Sequence, residues 1–148
     1  MSKDYTMRML HTPDRSGDDG NGSKLVERDA GDEPGHMVTT ADVLKGSQII
    51  ASDGENIGNV FDIVLDLHLG KIAYAVASSG GTGEMLRAIP WSAMKYNVGD
   101  KCFHLDVTAA HVKSAPGFDE EHWPVMTQSQ WGLSLHQYYN RVPYWAVG

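Results

Sequence analysis

Asp62 and Asp66 stand four residues apart in Phe61-Asp62-Ile63-Val64-Leu65-Asp66, a stretch that alternates as a strand does. Paired carboxylates are a common acid–base device, but on one strand face their Cα atoms lie roughly 13 Å apart at about 3.3 Å per residue. Retaining carboxylate pairs need about 5–5.5 Å and inverting pairs about 6.5–9.5 Å. The expected role of both is therefore solvation of the outer strand face or acceptance of N–H groups at the hairpin ends. His104 and Asp106 share the face of a second strand, with His111 near in sequence. Together with Asp62 and Asp66 they are candidates for a surface proton relay, since imidazole titrates near neutrality. The seven histidines, His11, His36, His68, His104, His111, His122 and His136, fall into no recognised zinc spacing. Cys102, the single cysteine, is expected to alternate away from Phe103 and to face outward or into an interface. No neighbouring residue type signals a lowered thiol pKa there. Asp14, Asp18, Asp19 and Asn21 lack the alternation and closing Glu of a calcium loop. The expectation is no catalytic, cofactor-binding or metal-ligating residue.

The elements that must position these groups are strands. Phe61, Ile63, Leu65 and Leu67 alternate with Asp62, Val64 and Asp66, the period of a half-buried strand. His68-Leu69-Gly70 turns the chain, and Ile72, Tyr74 and Val76 make the apolar face of the returning strand. Ala73, Ala75 and Ala77 leave the opposite face open to close approach. A first short strand at Gln48–Ala51 precedes an Asp53-Gly54 turn, and Gly58 marks a bulge or bend. Ser78–Gly83 reads as a hairpin loop rather than a phosphate cradle, because Met85–Ile89 beyond it reads as a strand. Pro90–Met94 forms a helical turn with Trp91 at one end of the core; Lys101–Val107 is the last strand, and Thr108 caps a short helix. The expected core is Ile50, Ile57, Phe61, Ile63, Leu65, Ile72, Tyr74, Val76, Ile89, Trp91, Phe103 and Leu105.

Around this unit the composition changes. Residues 1–37 are rich in Asp, Gly and Ser and read as a disordered acidic and Gly-rich tail. Residues 38–118 hold the β domain. Residues 119–148 carry Trp123, Trp131, Tyr138, Tyr139, Tyr144 and Trp145 but few charges, with a helix expected over Ser129–Asn140. So many aromatic rings need cover, either from their own sheet or from a partner, and these six are candidate interface residues. The net charge is −7 and no stretch is basic, which argues against direct nucleic-acid binding. No run approaches the roughly 18 apolar residues of a membrane span, and the N-terminus lacks a secretory h-region. With one cysteine and no internal disulfide, the expectation is a soluble cytoplasmic protein without membrane insertion.

The order of Gly54-Glu55-Asn56-Ile57-Gly58, Asp62–Asp66, Gly70–Val76, Ile89–Tyr96 and Ala115-Pro116-Gly117-Phe118 resembles the PRC-barrel family over about residues 40–124. The resemblance implies an all-β fold, a small, highly bent barrel of five or six strands with short helical turns, here with an aromatic-rich C-terminal extension. It also implies a protein-binding module rather than a catalyst. Such barrels form the cytoplasmic domain of the photosynthetic reaction centre H subunit, where they assist proton delivery. They also form the C-terminal domain of a ribosome maturation factor. No membrane helix or folded domain is read ahead of the barrel, so the chain is similar to the stand-alone bacterial members. The expectation is a non-enzymatic interaction or assembly module, homodimeric through the barrel and its tail, with a further protein partner open and no cofactor. The alternatives are an accessory to a photosynthetic or other electron-transfer complex, delivering protons or holding a small ligand at the barrel mouth, and then a ribosome or RNA-processing accessory.

Overall fold

The structure is a computed structural model that describes residues 26–27, 37–80 and 84–146. The chain divides into two units, residues 1–43 and 44–148. In the first, β1 (Val26–Glu27) pairs antiparallel with β2 (Met37–Val38). The tail read as disordered over 1–37 thus contributes a two-residue ladder. Its remainder, including Asp14, Asp18, Asp19 and Asn21, lies outside the described residues. The short helix α1 (Ala41–Leu44) starts where the Thr40 hydroxyl accepts the Val43 N–H at 3.3 Å, a side-chain cap for an otherwise orphaned donor.

The second unit is strand-rich, with few and short helices. It comprises β3 (Gln48–Ile50), β4 (Asn56–Asp66), β5 (Lys71–Ser78), β6 (Leu86–Pro90), β7 (Met94–Asn97), β8 (Cys102–Leu105), α2 (Ala109–Lys113) and α3 (Ser129–Tyr138). Single 3₁₀ turns occupy Trp91–Ala93 and Tyr144–Ala146. The six strands run in the order β6-β5-β4-β3-β8-β7, with β3 and β8 parallel and the other neighbours antiparallel. No ladder joins β6 to β7 among the described residues, so the sheet is open where a closed barrel was expected. Its two halves still share one interior: Ala75 and Ile89 from one end pack in the same cluster as Ile49, Phe103 and Leu105 from the other. The β6 edge is covered by Phe118, which exchanges both backbone hydrogen bonds with Leu86 at 2.8 and 2.9 Å.

Two irregularities set which residues face that interior. The β4–β5 register slips between Val60 and Asp62 and again between Val64 and Leu65. Val60 pairs with Ala77 and Ile63 with Ala75, so the core-facing set of β4 changes parity at Phe61. Ala75 and Ala77 of β5, not its large residues, line the shared core, and their small size lets the other half of the sheet close on them. Tyr74 points to the other face and joins Ala73 and Ala88 in a second cluster.

Of the expected core, Ile57, Tyr74, Val76, Ile89, Phe103 and Leu105 are buried, while Ile50, Phe61, Ile63, Ile72 and Trp91 are half-buried. Leu65 is a correction: it is 54 % exposed. β3 reaches only to Asn59 on one side of the hairpin and β6 only to Tyr74 on the other. The hairpin end beyond them therefore projects past both neighbours, and Leu65 lies on it. Cys102, expected to face outward or into an interface, is buried within its own chain.

Candidate functional site

The aromatic extension packs on its own sheet. In α3 and at its C-cap, Trp131, Gly132, Leu135, His136 and Tyr139 recur at helical spacing and turn toward it, Gly132, His136 and Tyr139 being buried. Trp131 meets Tyr74 edge-on at 5.2 Å between ring centroids, and Tyr144 meets it from another side at 5.8 Å. Gly132 makes this approach possible, since a Cβ there would lie 2.8 Å from the Tyr74 hydroxyl and 2.9 Å from the Trp145 ring. His136 is wholly buried between them. One ring nitrogen donates to the Gly132 carbonyl at 2.8 Å and the other accepts the Tyr144 N–H at 3.3 Å, which defines a neutral imidazole. Burial lowers its pKa, partly opposed by the bond to Gly132.

Polar clasps between four residue pairs hold the extension down. The Tyr144 hydroxyl donates to Asp66 at 2.6 Å and, with the Leu69 N–H, holds that carboxyl below its ordinary range. Burial and then the hydrogen bond to Asp66 raise the Tyr144 phenol in turn. Lys71 Nζ donates to the Tyr144 carbonyl at 3.3 Å. The Tyr138 hydroxyl donates to the His111 carbonyl at 2.6 Å, and His111 Nε2 donates back to the Tyr138 carbonyl at 2.8 Å, with the two rings stacked 4.2 Å apart. Arg141 pairs with Asp106. Burial and then the nearby Asp66 push the Tyr74 phenol up to about 12.

The four relay candidates accordingly sit in different places. Asp62 lies 3.9 Å from Lys45 and accepts the Ile63 N–H, Asp66 serves Tyr144, and Asp106 serves Arg141. His104 has its Nε2 3.4 Å from Cys102 Sγ and 3.6 Å from Asp100. Burial and then Asp100 raise the Cys102 thiol. Of the six aromatic candidates, Tyr139 is buried, Trp131, Tyr138 and Tyr144 are half-buried against the same chain, and Trp123 and Trp145 keep more exposure. Trp123 rests against Phe118 at 5.2 Å.

The surface missed by the sequence reading is the hairpin end. Leu65, Leu67 and Leu69 are 54 %, 86 % and 44 % exposed within five residues of chain. Gly70, at φ 68°, closes the turn while its N–H bonds to the Asp66 carbonyl at 2.8 Å. Tyr144 is fastened to Asp66 of that hairpin, and the next residue, Trp145, is 40 % exposed. The only signal available in the sequence was the leucine at every second position through the turn.

A strand-rich sheet with a shared interior, short helical turns and an apolar projecting hairpin describes a small β-scaffold that presents surface. Residues 40–112 match the PRC-barrel domain, and the chain carries that domain over this stretch. No curated protein matches the chain. Among the described residues no helix is long and apolar enough to cross a membrane.

Proposed function

We propose that this chain is a non-catalytic protein-interaction module that pairs with a second copy of itself through the projecting β4–β5 hairpin. The observation that carries the reading is the run of exposed leucines, Leu65, Leu67 and Leu69, on a hairpin held in place by its own extension. Large apolar side chains grouped in this way mark interaction surfaces. The PRC-barrel domain at residues 40–112 supports a binding role. The extension's inner aromatic residues already pack on their own sheet, so the pairing surface moves from the tail as a whole to the hairpin end. Light scattering at about 100 μM tests the pairing, far above the micromolar dissociation constant that corresponds to a binding free energy of about −8 kcal/mol. A mass of twice 16.2 kDa that falls to the single-chain value in Leu67→Asp is the expected result. A single-chain mass for the unaltered protein overturns the homodimer.

A further inference from the structure

Cys102 and His104 alternate on β8 and so share one side of the strand, and the β7–β8 turn that leads into it brings Asp100 beside them. Their ligand atoms lie within 4.8 Å of one another. The turn fixes Asp100. The Asp100 N–H donates to the Asn97 side-chain oxygen at 2.9 Å, the Lys101 N–H donates to the Asn97 carbonyl at 2.7 Å, and Lys101 takes a left-handed φ of 57°. The strand fixes the other two. Cys102 is opposite Asn97 and His104 opposite Lys95 in the β7 ladder.

The two spacings about His104 are close to those of a tetrahedral coordination shell. A zinc ion with Zn–S of about 2.3 Å and Zn–N or Zn–O of about 2.0–2.1 Å at tetrahedral angles sets its sulfur about 3.5 Å from a nitrogen ligand. The same ion sets a nitrogen and an oxygen ligand about 3.3–3.4 Å apart. Here Cys102 Sγ lies 3.4 Å from His104 Nε2, and His104 Nε2 lies 3.6 Å from an Asp100 carboxylate oxygen. Thiolate, imidazole and carboxylate together suit a borderline divalent transition ion rather than magnesium or calcium, which select oxygen. Cys102 is buried, His104 half-buried and Asp100 exposed, so an ion can enter from the Asp100 side.

We propose that Asp100, Cys102 and His104 bind one divalent transition ion of the Zn²⁺ class, with the fourth tetrahedral position left to solvent. Such binding takes the proton from the Cys102 thiol and places the ion's positive charge between that sulfur and the Asp100 carboxylate. It also ties the β7–β8 turn to the strand it begins.

The test is Co²⁺ titration of the reduced full chain under nitrogen, read by absorption. A thiolate-to-cobalt charge-transfer band that saturates at one equivalent and is bleached by stoichiometric Zn²⁺ is the expected result. Any such band belongs to Cys102, because the chain has no other cysteine, so the assignment needs no variant. His104→Gln should weaken cobalt binding about tenfold or more. His122→Gln, in a separate pair with Asp119, should leave it unchanged. The site is overturned if no sulfur-to-cobalt band develops, or if His104→Gln binds as tightly as the unaltered chain.

Discussion

Gly58 has φ 133°, and a Cβ built there would overlap the carbonyl oxygen of Ser78 at the far end of β5. Sequence alternation alone would have allowed any small residue, but both the dihedral and the close approach require glycine. Gly58→Ala should therefore destabilise the protein by about 1–3 kcal/mol, the usual cost of a strained backbone position, as read by urea unfolding. His136 makes a different demand. It is buried and neutral, so its folded pKa lies below the ordinary value of 6.5 that the unfolded chain keeps. Below that ordinary value the unfolded state binds more protons than the folded state, so stability falls as pH drops. The loss begins near pH 6.5 and continues until the depressed folded pKa is passed. Melting temperature measured from pH 7.5 to pH 5 should fall, and His136→Gln should flatten that part of the profile. An equal slope in the variant would place the titration elsewhere.

At the scale of elements, the extension and β5 form one packing unit around Tyr74. That side chain is 1 % exposed and meets Trp131, His136 and Tyr144. Tyr74→Ala should cost about 3–5 kcal/mol, as large aromatic truncations in cores do, and should open Arg141 to trypsin before the sheet itself is cut. Resistance at Arg141 equal to that of the unaltered protein would show that the extension is held by its polar clasps alone. Much of this arrangement was legible beforehand. The strand at residues 61–66, the Gly70 turn, the Thr108 cap and the helix near residue 129 follow from period, glycine and capping residues. The faces were not legible in full. The register slips at Phe61 and before Leu65 reverse the inward set without any residue type that announces them, and so Leu65 was placed in the core. The partners of Asp66 and Asp106 were hidden for another reason. Tyr144 lies 78 residues from the one and Arg141 lies 35 from the other, and no local pattern encodes a clasp over such distances. Cys102 and His104 were read separately, one as a thiol facing outward or into an interface and the other as a relay group. Their shared strand face was in the sequence, but the turn that lifts Asp100 beside them was visible only in the fold.

For the molecule as a whole, the sheet relies on its own extension to cover the Tyr74 face and on Phe118 to cover the β6 edge, which leaves Leu65, Leu67 and Leu69 grouped and exposed at the hairpin end. The choice between packing in cis and exchange between copies rests on the Tyr74–Trp131 contact. A sample mixed equally from isotope-labelled and unlabelled chains separates the two by filtered nuclear Overhauser measurements. With the extension seated on its own sheet, the Tyr74 and Trp131 rings give cross-relaxation within a labelled chain and none between labelled and unlabelled chains, even where hairpin contacts between copies are seen. Transfer between the Tyr74 ring of one copy and the Trp131 ring of another would contradict the self-covered scaffold and assign the aromatic extension to the partner's sheet.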